Sequence, residues 1–328
     1  MKFLELLCCP VHKSNIKLDQ SQEKYLCPGG CSFSIINEIP RFVSMDNYAS
    51  SFGLQWNEYQ KTQLDSFTGL PISKTRLKRL MGGSLDILKG KQVLEVGCGA
   101  GRFTEILLEV GSDVFATDIS SAVEANYKNC NKYPDYFVCQ ADILKFPVKP
   151  EQFDIVICIG VIQHTPNPEQ TITALCSQVK PGGLLIIDHY TYGYSTTPIR
   201  KIIRLFLIRM PTTFSLKFCK MLATMLWPIH KILWKHKTLF FIKKIRPIFL
   251  HLSPIVDYQD AYPELGPELL KTWATLDTHD TLTDYYKHLR SSEEVSKHLH
   301  KCGMVDVETT YAGNGVEARA RKSTNERI

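Results

Sequence analysis

Between residues 89 and 190 five short β-branched runs, QVLEVG, DVFATD, YFVCQAD, FDIVICIG and GGLLIID, alternate with segments of helix length. Strands spaced in this way cannot pair as hairpins. They form a parallel sheet covered by helices on both faces. Everything else in the 328 residues must then be an addition to an α/β core, and the length accommodates one large domain with appendages.

The additions are distinct in composition. Residues 1–44 form a small cysteine-rich unit. Residues 45–88 are polar and aromatic, a helical cap or linker ending in the loop GGSLD. Residues 89–190 are the core, and 191–262 a basic, apolar, helical insert. Residues 263–328 return to the core with a helix, SSEEVSKHLHKCG, opened by a capping box of Ser291 and Glu294 and closed by Gly303. The hairpin VDVETTY, AGNG, VEARARK follows.

Eleven cysteines are an odd number, and Cys98, Cys139, Cys158 and Cys176 sit inside apolar runs, which favours reduced thiols in a cytoplasmic compartment. No secretory signal and no apolar run long enough to span a bilayer are evident. The net charge of +6 conceals an asymmetry: from His189 to Val256 there are twelve Lys and Arg and no acid, so the remainder carries −6. A basic insert sits in an otherwise acidic protein.

The first strand runs into LEVGCGAGRF, Leu94 to Phe103. Glycines between strand and helix let backbone approach a ligand closely and aim free N–H groups at an anion. A phosphate loop needs Gly-Lys-Ser/Thr, which is absent. A dinucleotide loop needs a small residue where Arg102 stands. What remains, acid-x-Gly-x-Gly-x-Gly, resembles motif I of the class I S-adenosylmethionine-dependent methyltransferases. Asp118 ends the second strand about 20 residues on, where an acid accepts from both ribose hydroxyls. Asp142, in CQADILKFP, ends the third strand. FDIVICIGVIQHTPNP and VKPGGLLIID look like motif IV and the turn into strand five. The resemblance, closest to type 11 methyltransferases, covers roughly residues 47–190 and 255–321.

That resemblance implies a Rossmann-like, seven-stranded, mostly parallel sheet with an antiparallel last strand, binding S-adenosylmethionine. The cofactor contacts it implies are Glu95, Gly97, Cys98, Gly99, Gly101, Asp118, Ile119, Asp142, Ile143 and Gly160. In the family the acid matching Glu95 helps hold the amino end, and the one matching Asp142 meets the adenine amino group. Asp142 read by itself is equally a helix cap. Arg102 falls on the first helix turn, facing solvent or the methionine carboxylate.

Methyl transfer is an in-line displacement, and an oxygen or carbon acceptor also calls for a base. His164, after the fourth strand, is the first candidate; its alternative is to stabilise the turn. His189 and Tyr190 suit packing better. Trp56, Tyr59 and Gln63 could line the cleft, yet aromatics at helical spacing more often pack on the core, which is expected for most of them. No Asn-Pro-Pro-Tyr/Phe segment and no Pro-Cys nucleophile follows strand four. The pattern is closer to enzymes that modify small molecules, glycans, quinones and lipids. Two rivals stand beside this: an RNA methyltransferase that grips its substrate with the cysteine-rich unit and the insert, and a non-catalytic relative that partners an enzyme.

CCPVH and CPGGC supply Cys9, His12, Cys27 and Cys31, spaced for a tetrahedral structural zinc, with Cys8 able to replace Cys9. The unit resembles the small zinc ribbons fused to methyltransferases. In the insert, apolar residues share a helical face with Arg and Lys beside them, and prolines at 211, 228, 247 and 254 are expected to cut it into short helices. Such helices fit either a lid or, through residues 199–252, peripheral contact with a membrane. Nucleic acid is the third reading.

Overall fold

The computed structural model describes residues 3–44, 47–192 and 197–324. The parts of the cap at 45–46 and of the insert at 193–196, and the last four residues of the C-terminal segment, lie outside the described residues.

The amino-terminal unit is a four-stranded antiparallel sheet of β1 (Lys17–Asp19), β2 (Lys24–Leu26), β3 (Ser32–Ile36) and β4 (Ile39–Pro40), in that order. It is too small to bury a core of its own and shares that of the main sheet. Phe3 packs edge-on against Phe115 at 5.6 Å, and Phe42 N–H donates to the Gln140 carbonyl at 2.8 Å. Arg41, buried, pairs with Glu124.

The main sheet holds β5 (Gln92–Val96), β6 (Asp113–Asp118), β7 (Tyr136–Gln140), β8 (Phe153–Cys158), β9 (Val179–Tyr190), β10 (Met304–Ala312) and β11 (Gly315–Lys322). Its spatial order is β10-β11-β9-β8-β5-β6-β7. β5 to β9 run parallel and β11 pairs antiparallel with β9, so the seven-stranded α/β sheet with an antiparallel last strand is as expected. Five runs read as strands became five strands because each is buried on both faces.

Helices α1 (Ser50–Glu58), α2 (Asp65–Thr68) and α3 (Ile72–Leu80) precede the sheet. α4 (Thr104–Glu109), α5 (Val123–Cys130) and α6 (Pro168–Gln178) connect its strands. The insert forms α7 (Pro198–Leu207), α8 (Thr212–Lys235) and α9 (Phe240–Leu252); α10 (Gly266–Thr283) and α11 (Ser292–Lys301) follow. The capping box of Ser291 and Glu294 opens α11 as anticipated.

Two features differ from the sequence reading. Pro211 and Pro254 fall at helix ends, but Pro228 and Pro247 lie inside α8 and α9. An interior proline costs about 3 kcal/mol. On α8 that is offset by a stripe buried to either side of it, from Leu216 through Ala223 and Trp227 to His230. The second is α10, a helix not recognised in the sequence. It joins Ala223 and Trp227 of α8 with Leu270, Trp273 and Ala274 in one buried cluster, so residues 266–283 belong by packing to a helical lid over the sheet.

Candidate functional site

The carboxyl ends of β5, β6, β7 and β8 open into a cavity of about 870 Å³, roofed by α1, α3 and α10. That volume is within the range of small-molecule sites, about 300–1,000 Å³.

Its floor is the glycine turn after β5. Gly97 and Gly99 take left-handed φ values of 73° and 50°. A Cβ on Gly97 would stand 2.2 Å from a Val161 methyl, and one on Gly99 would press on the Trp56 indole at 3.4 Å. The turn is thus clamped between the β8 loop and α1, with no room for side chains. Asp118 ties it to the end of β6: Oδ2 accepts from Gly99 N–H at 3.1 Å, while Oδ1 accepts from the Ser120 N–H at 2.8 Å and its hydroxyl at 2.7 Å. Burial pushes the Asp118 carboxyl up, opposed by these bonds. Of the residues anticipated from sequence, Gly97, Cys98, Gly99, Asp118, Ile119, Asp142, Ile143, Gly160 and His164 all line the cavity. Asp142 also accepts from Leu144 N–H at 2.9 Å, so it caps the short turn after β7 as well.

Glu95 and Gly101 are not among the lining residues. The Glu95 carboxyl is buried behind the turn and accepts from the Thr104 hydroxyl at 2.6 Å; burial raises its pKa to about 8, so it is protonated near neutrality. Its place is explained by strand alternation: it ends up on the α4 side of the sheet. Gly101 faces α5, where a Cβ would lie 3.1 Å from Cys130 Sγ.

His164 sits on the turn after β8, buried between the rings of Phe52 and Tyr190, each at 5.3 Å. Its Nδ1 lies 3.2 Å from the Tyr286 carbonyl and 3.4 Å from Asp284 Oδ2. A carbonyl only accepts, so the proton belongs on Nδ1 and the lone pair on Nε2. Burial pulls the His164 pKa down, but Asp284 outweighs it and the net shift is upward. Asp284, fully buried, also holds Arg204 of α7 at 2.7 Å and Lys287 at 3.1 Å. His189 does not line the cavity and turns Nδ1 to the Tyr190 carbonyl at 2.8 Å, whereas Tyr190 does line it.

The roof holds residues that the sequence reading did not foresee. Trp56 and Gln63 line the cavity, against the expected packing role; Tyr59 packs instead beneath Lys220 of the insert, 5.7 Å from its ring centroid. Arg102 lines the cavity and forms no ion pair among the described residues. Its guanidinium donates to the Ser73 hydroxyl at 3.1 Å and to Gln63 Oε1, and sits 5.0 Å from the Phe103 ring centroid. Burial, then the neighbouring Arg76, brings its pKa down to about 10. Arg76 and Arg79, also lining the cavity, are neutralised by Asp188 and Glu317. Asp188 accepts from Gly160 N–H at 2.6 Å as well, fixing the β8 turn. From α10 come Trp273, Asp277, Asp280 and Thr281, which recur on one helical face. Burial and the neighbouring Asp280 raise the Asp277 pKa to about 7. Two carboxylates among the buried residues of an otherwise apolar face were the signal in the sequence for this wall.

The four candidate metal ligands converge. Their donor atoms lie within 4.8 Å of one another. His12 Nδ1 is 3.6 Å from Cys9 Sγ, 3.3 Å from Cys27 Sγ and 3.6 Å from Cys31 Sγ. Zinc bonds of about 2.0–2.1 Å to nitrogen and about 2.3 Å to sulfur set an N···S tetrahedral edge of about 3.5 Å. The donor set fits zinc in type and spacing. Cys8 is not part of the cluster.

Residues 94–187 match the family described as a methyltransferase domain. Among curated proteins, the ubiquinone biosynthesis O-methyltransferase of Azoarcus sp. (strain BH72) is 35% identical over 105 residues, which is 31% of this chain and 45% of that protein. The protein of the same name from Coxiella burnetii (strain Dugway 5J108-111) is 36% identical over 104 residues, 31% of this chain and 44% of its own. The chain therefore spans less than half the length of the curated relatives it matches. Among solved structures, a SAM dependent methyltransferase from Aquifex aeolicus aligns over 84% of this chain and 98% of its own, at 15% identity and a TM-score of 0.43.

Proposed function

We propose that this protein is an S-adenosylmethionine-dependent methyltransferase acting at oxygen or carbon of a small-molecule or lipid-linked acceptor. The observation that carries the reading is Asp118. It lines an adenosine-sized cavity while bound to the backbone of a glycine turn, and residues around that turn match a methyltransferase domain.

S-adenosylmethionine supplies a methyl group activated on a sulfonium. The chain's own residues bind and orient. Asp118 keeps one lone pair, on Oδ2, for a ribose hydroxyl, and Asp142 and Ile143 border the base. Arg102, a buried cation among neutral hydrogen-bond partners, takes the methionine carboxylate, which relieves the cost of leaving it unneutralised. Phe52, Trp56 and the α10 wall exclude water. His164, with its Nδ1 proton held by the Tyr286 carbonyl, offers Nε2 to the acceptor's proton, and Asp284 stabilises the imidazolium that results. The names of the curated relatives support oxygen on a small molecule as the acceptor atom.

The test is transfer of labelled methyl from S-adenosylmethionine into metabolite and lipid extracts of cells lacking the gene. Label is expected in one small organic product. A protein that fails to bind S-adenosylhomocysteine in calorimetry, or labels nothing but RNA, overturns the reading.

Cys9, His12, Cys27 and Cys31 are proposed to hold one structural zinc, since four protein ligands leave no open position. Elemental analysis is expected to find one zinc per chain, and Cys27→Ser to lose it with a lower melting temperature. Metal-free wild-type protein of unchanged stability would rule this out.

A further inference from the structure

The outer layer of the lid has no partner within the chain. Among the described residues, more than half of the large hydrophobic side chains left exposed lie between Ile202 and Leu252. α8 has two apolar stripes. One, including Leu216, Ala223 and Trp227, is buried. The other, Phe214, Met221, Met225 and Ile232, stands in solvent about a half-turn away around the helix. α9 has no buried residue at all; Phe240, Phe241, Ile245 and Ile248 are exposed, Phe241 by 74%. At 13 residues, with a proline inside, α9 is at the length where an isolated helix is marginal in water. Its apolar side requires another phase or surface.

Charge identifies that surface. Helices α7 to α9 themselves supply no acid, and the acids that pair with their Lys and Arg residues, Glu58, Asp260 and Asp284, lie outside those three helices. Lys217, Lys231, Lys235, Lys243 and Lys244 are exposed and form no ion pair among the described residues. On α8, Lys217, Lys231 and Lys235 flank the exposed stripe on one side. On α9, Lys244 Nζ lies 4.4 Å from the Phe240 ring centroid. A second copy docked by the same face would set these cations chiefly against identical cations. A phosphate backbone would satisfy the lysines and leave Met, Ile and Phe in water. A bilayer carrying anionic lipid satisfies both, with aliphatic stems and rings below the headgroups and ammonium groups among the phosphates.

We propose that the outer face of α7, α8 and α9 docks on the headgroup–acyl boundary of an anionic bilayer. α8 packs on α10, which walls the cavity, so docking would hold that wall one helix away from the lipid surface. The proposal goes beyond methyl transfer and does not depend on it.

The experiment is co-sedimentation of the full chain with phosphatidylcholine vesicles, with and without phosphatidylglycerol. Wild-type protein is expected to bind the mixed vesicles preferentially and to release in salt. Phe240→Ser/Phe241→Ser/Ile245→Ser should abolish binding. Lys231→Gln/Lys235→Gln should weaken it by about fivefold per lysine removed. Affinity for S-adenosylhomocysteine, unchanged in each variant, shows that the fold is intact; if wild type itself lacks that affinity yet binds the mixed vesicles and the variants do not, the enzymatic reading fails and this one stands. Equal binding by wild type and variants, indifference to phosphatidylglycerol, or a dimer or RNA complex formed without vesicle binding would overturn the proposal.

Discussion

In the floor of the cavity, Asp118, Gly160 and His164 come at or just beyond strand ends, and the sheet places them. In the roof, Trp56 and Asp277 come from opposite ends of the chain and meet only because helices pack. Floor contacts join near neighbours in the sheet, such as Asp118 with Gly99 and Ser120. Roof contacts reach across the chain: Trp273 Nε1 donates to the Thr62 carbonyl at 2.7 Å, and Gln63 Nε2 to Asp277 at 3.4 Å. The two also differ in electrostatics. The floor has one acid held by backbone and hydroxyl donors, while in the roof Arg76 and Arg79 are paired with carboxylates and Arg102 is not. A floor of this kind can be kept while the roof is changed; under the proposed function the floor would take the cofactor and the roof the particular acceptor.

That division can be broken by experiment. The largest effect is expected at His164, where the two regions meet. His164→Ala should lower kcat by about 10²–10⁴-fold with cofactor affinity intact. In wild type, kcat should be lost as pH falls through a His164 pKa above its ordinary 6.5, because protonation removes the Nε2 lone pair. Wild-type turnover in the variant would remove His164 from the chemistry.

Next comes Asp284, a roof residue whose loss removes the buried carboxylate that Arg204 and Lys287 share. Asp284→Ala should cost about 3–5 kcal/mol of stability, read in chemical denaturation. An unchanged midpoint would mean that the lid is not held there.

Asp118→Ala tests the floor alone. Affinity for S-adenosylhomocysteine should fall by about tenfold to a hundredfold in calorimetry, with less effect on the melting temperature. A stability loss with unaltered affinity would make Asp118 a brace for the turn and nothing more. The smallest effect is expected for Trp273→Phe, which keeps the ring and loses one hydrogen bond. A loss of about 1 kcal/mol should be confined to stability, and a change in cofactor affinity would show that roof and floor are coupled.

The same contrast marks how far the sequence could be read. The glycine turn, Asp118, Asp142 and His164 were legible because strand periodicity locates strand ends and ligands meet them there. Glu95 was misplaced by one property that a string of letters does not display: which side of the sheet its carboxyl leaves. Arg102 was recognised as unusual, but its clamp by Gln63 and Ser73 needed the segment after α1, and α3, in position. α10 was missed because its apolar face is interrupted by acids that are buried only when the cavity exists.

From its sequence alone this chain determined a parallel α/β sheet, a glycine turn with an acid opposite, a four-ligand cysteine and histidine set and a basic run without acids from His189 to Val256. These follow from local periodicity, spacing and composition, which any fold of the chain must respect. Tertiary structure alone decided that residues 47–80 and 197–283 form one lid, that the Arg102 guanidinium faces the cavity with neutral hydrogen-bond partners, and that the lid turns a greasy, cationic side outward. Those depend on which segments exclude water together, and burial is a property of the assembled molecule.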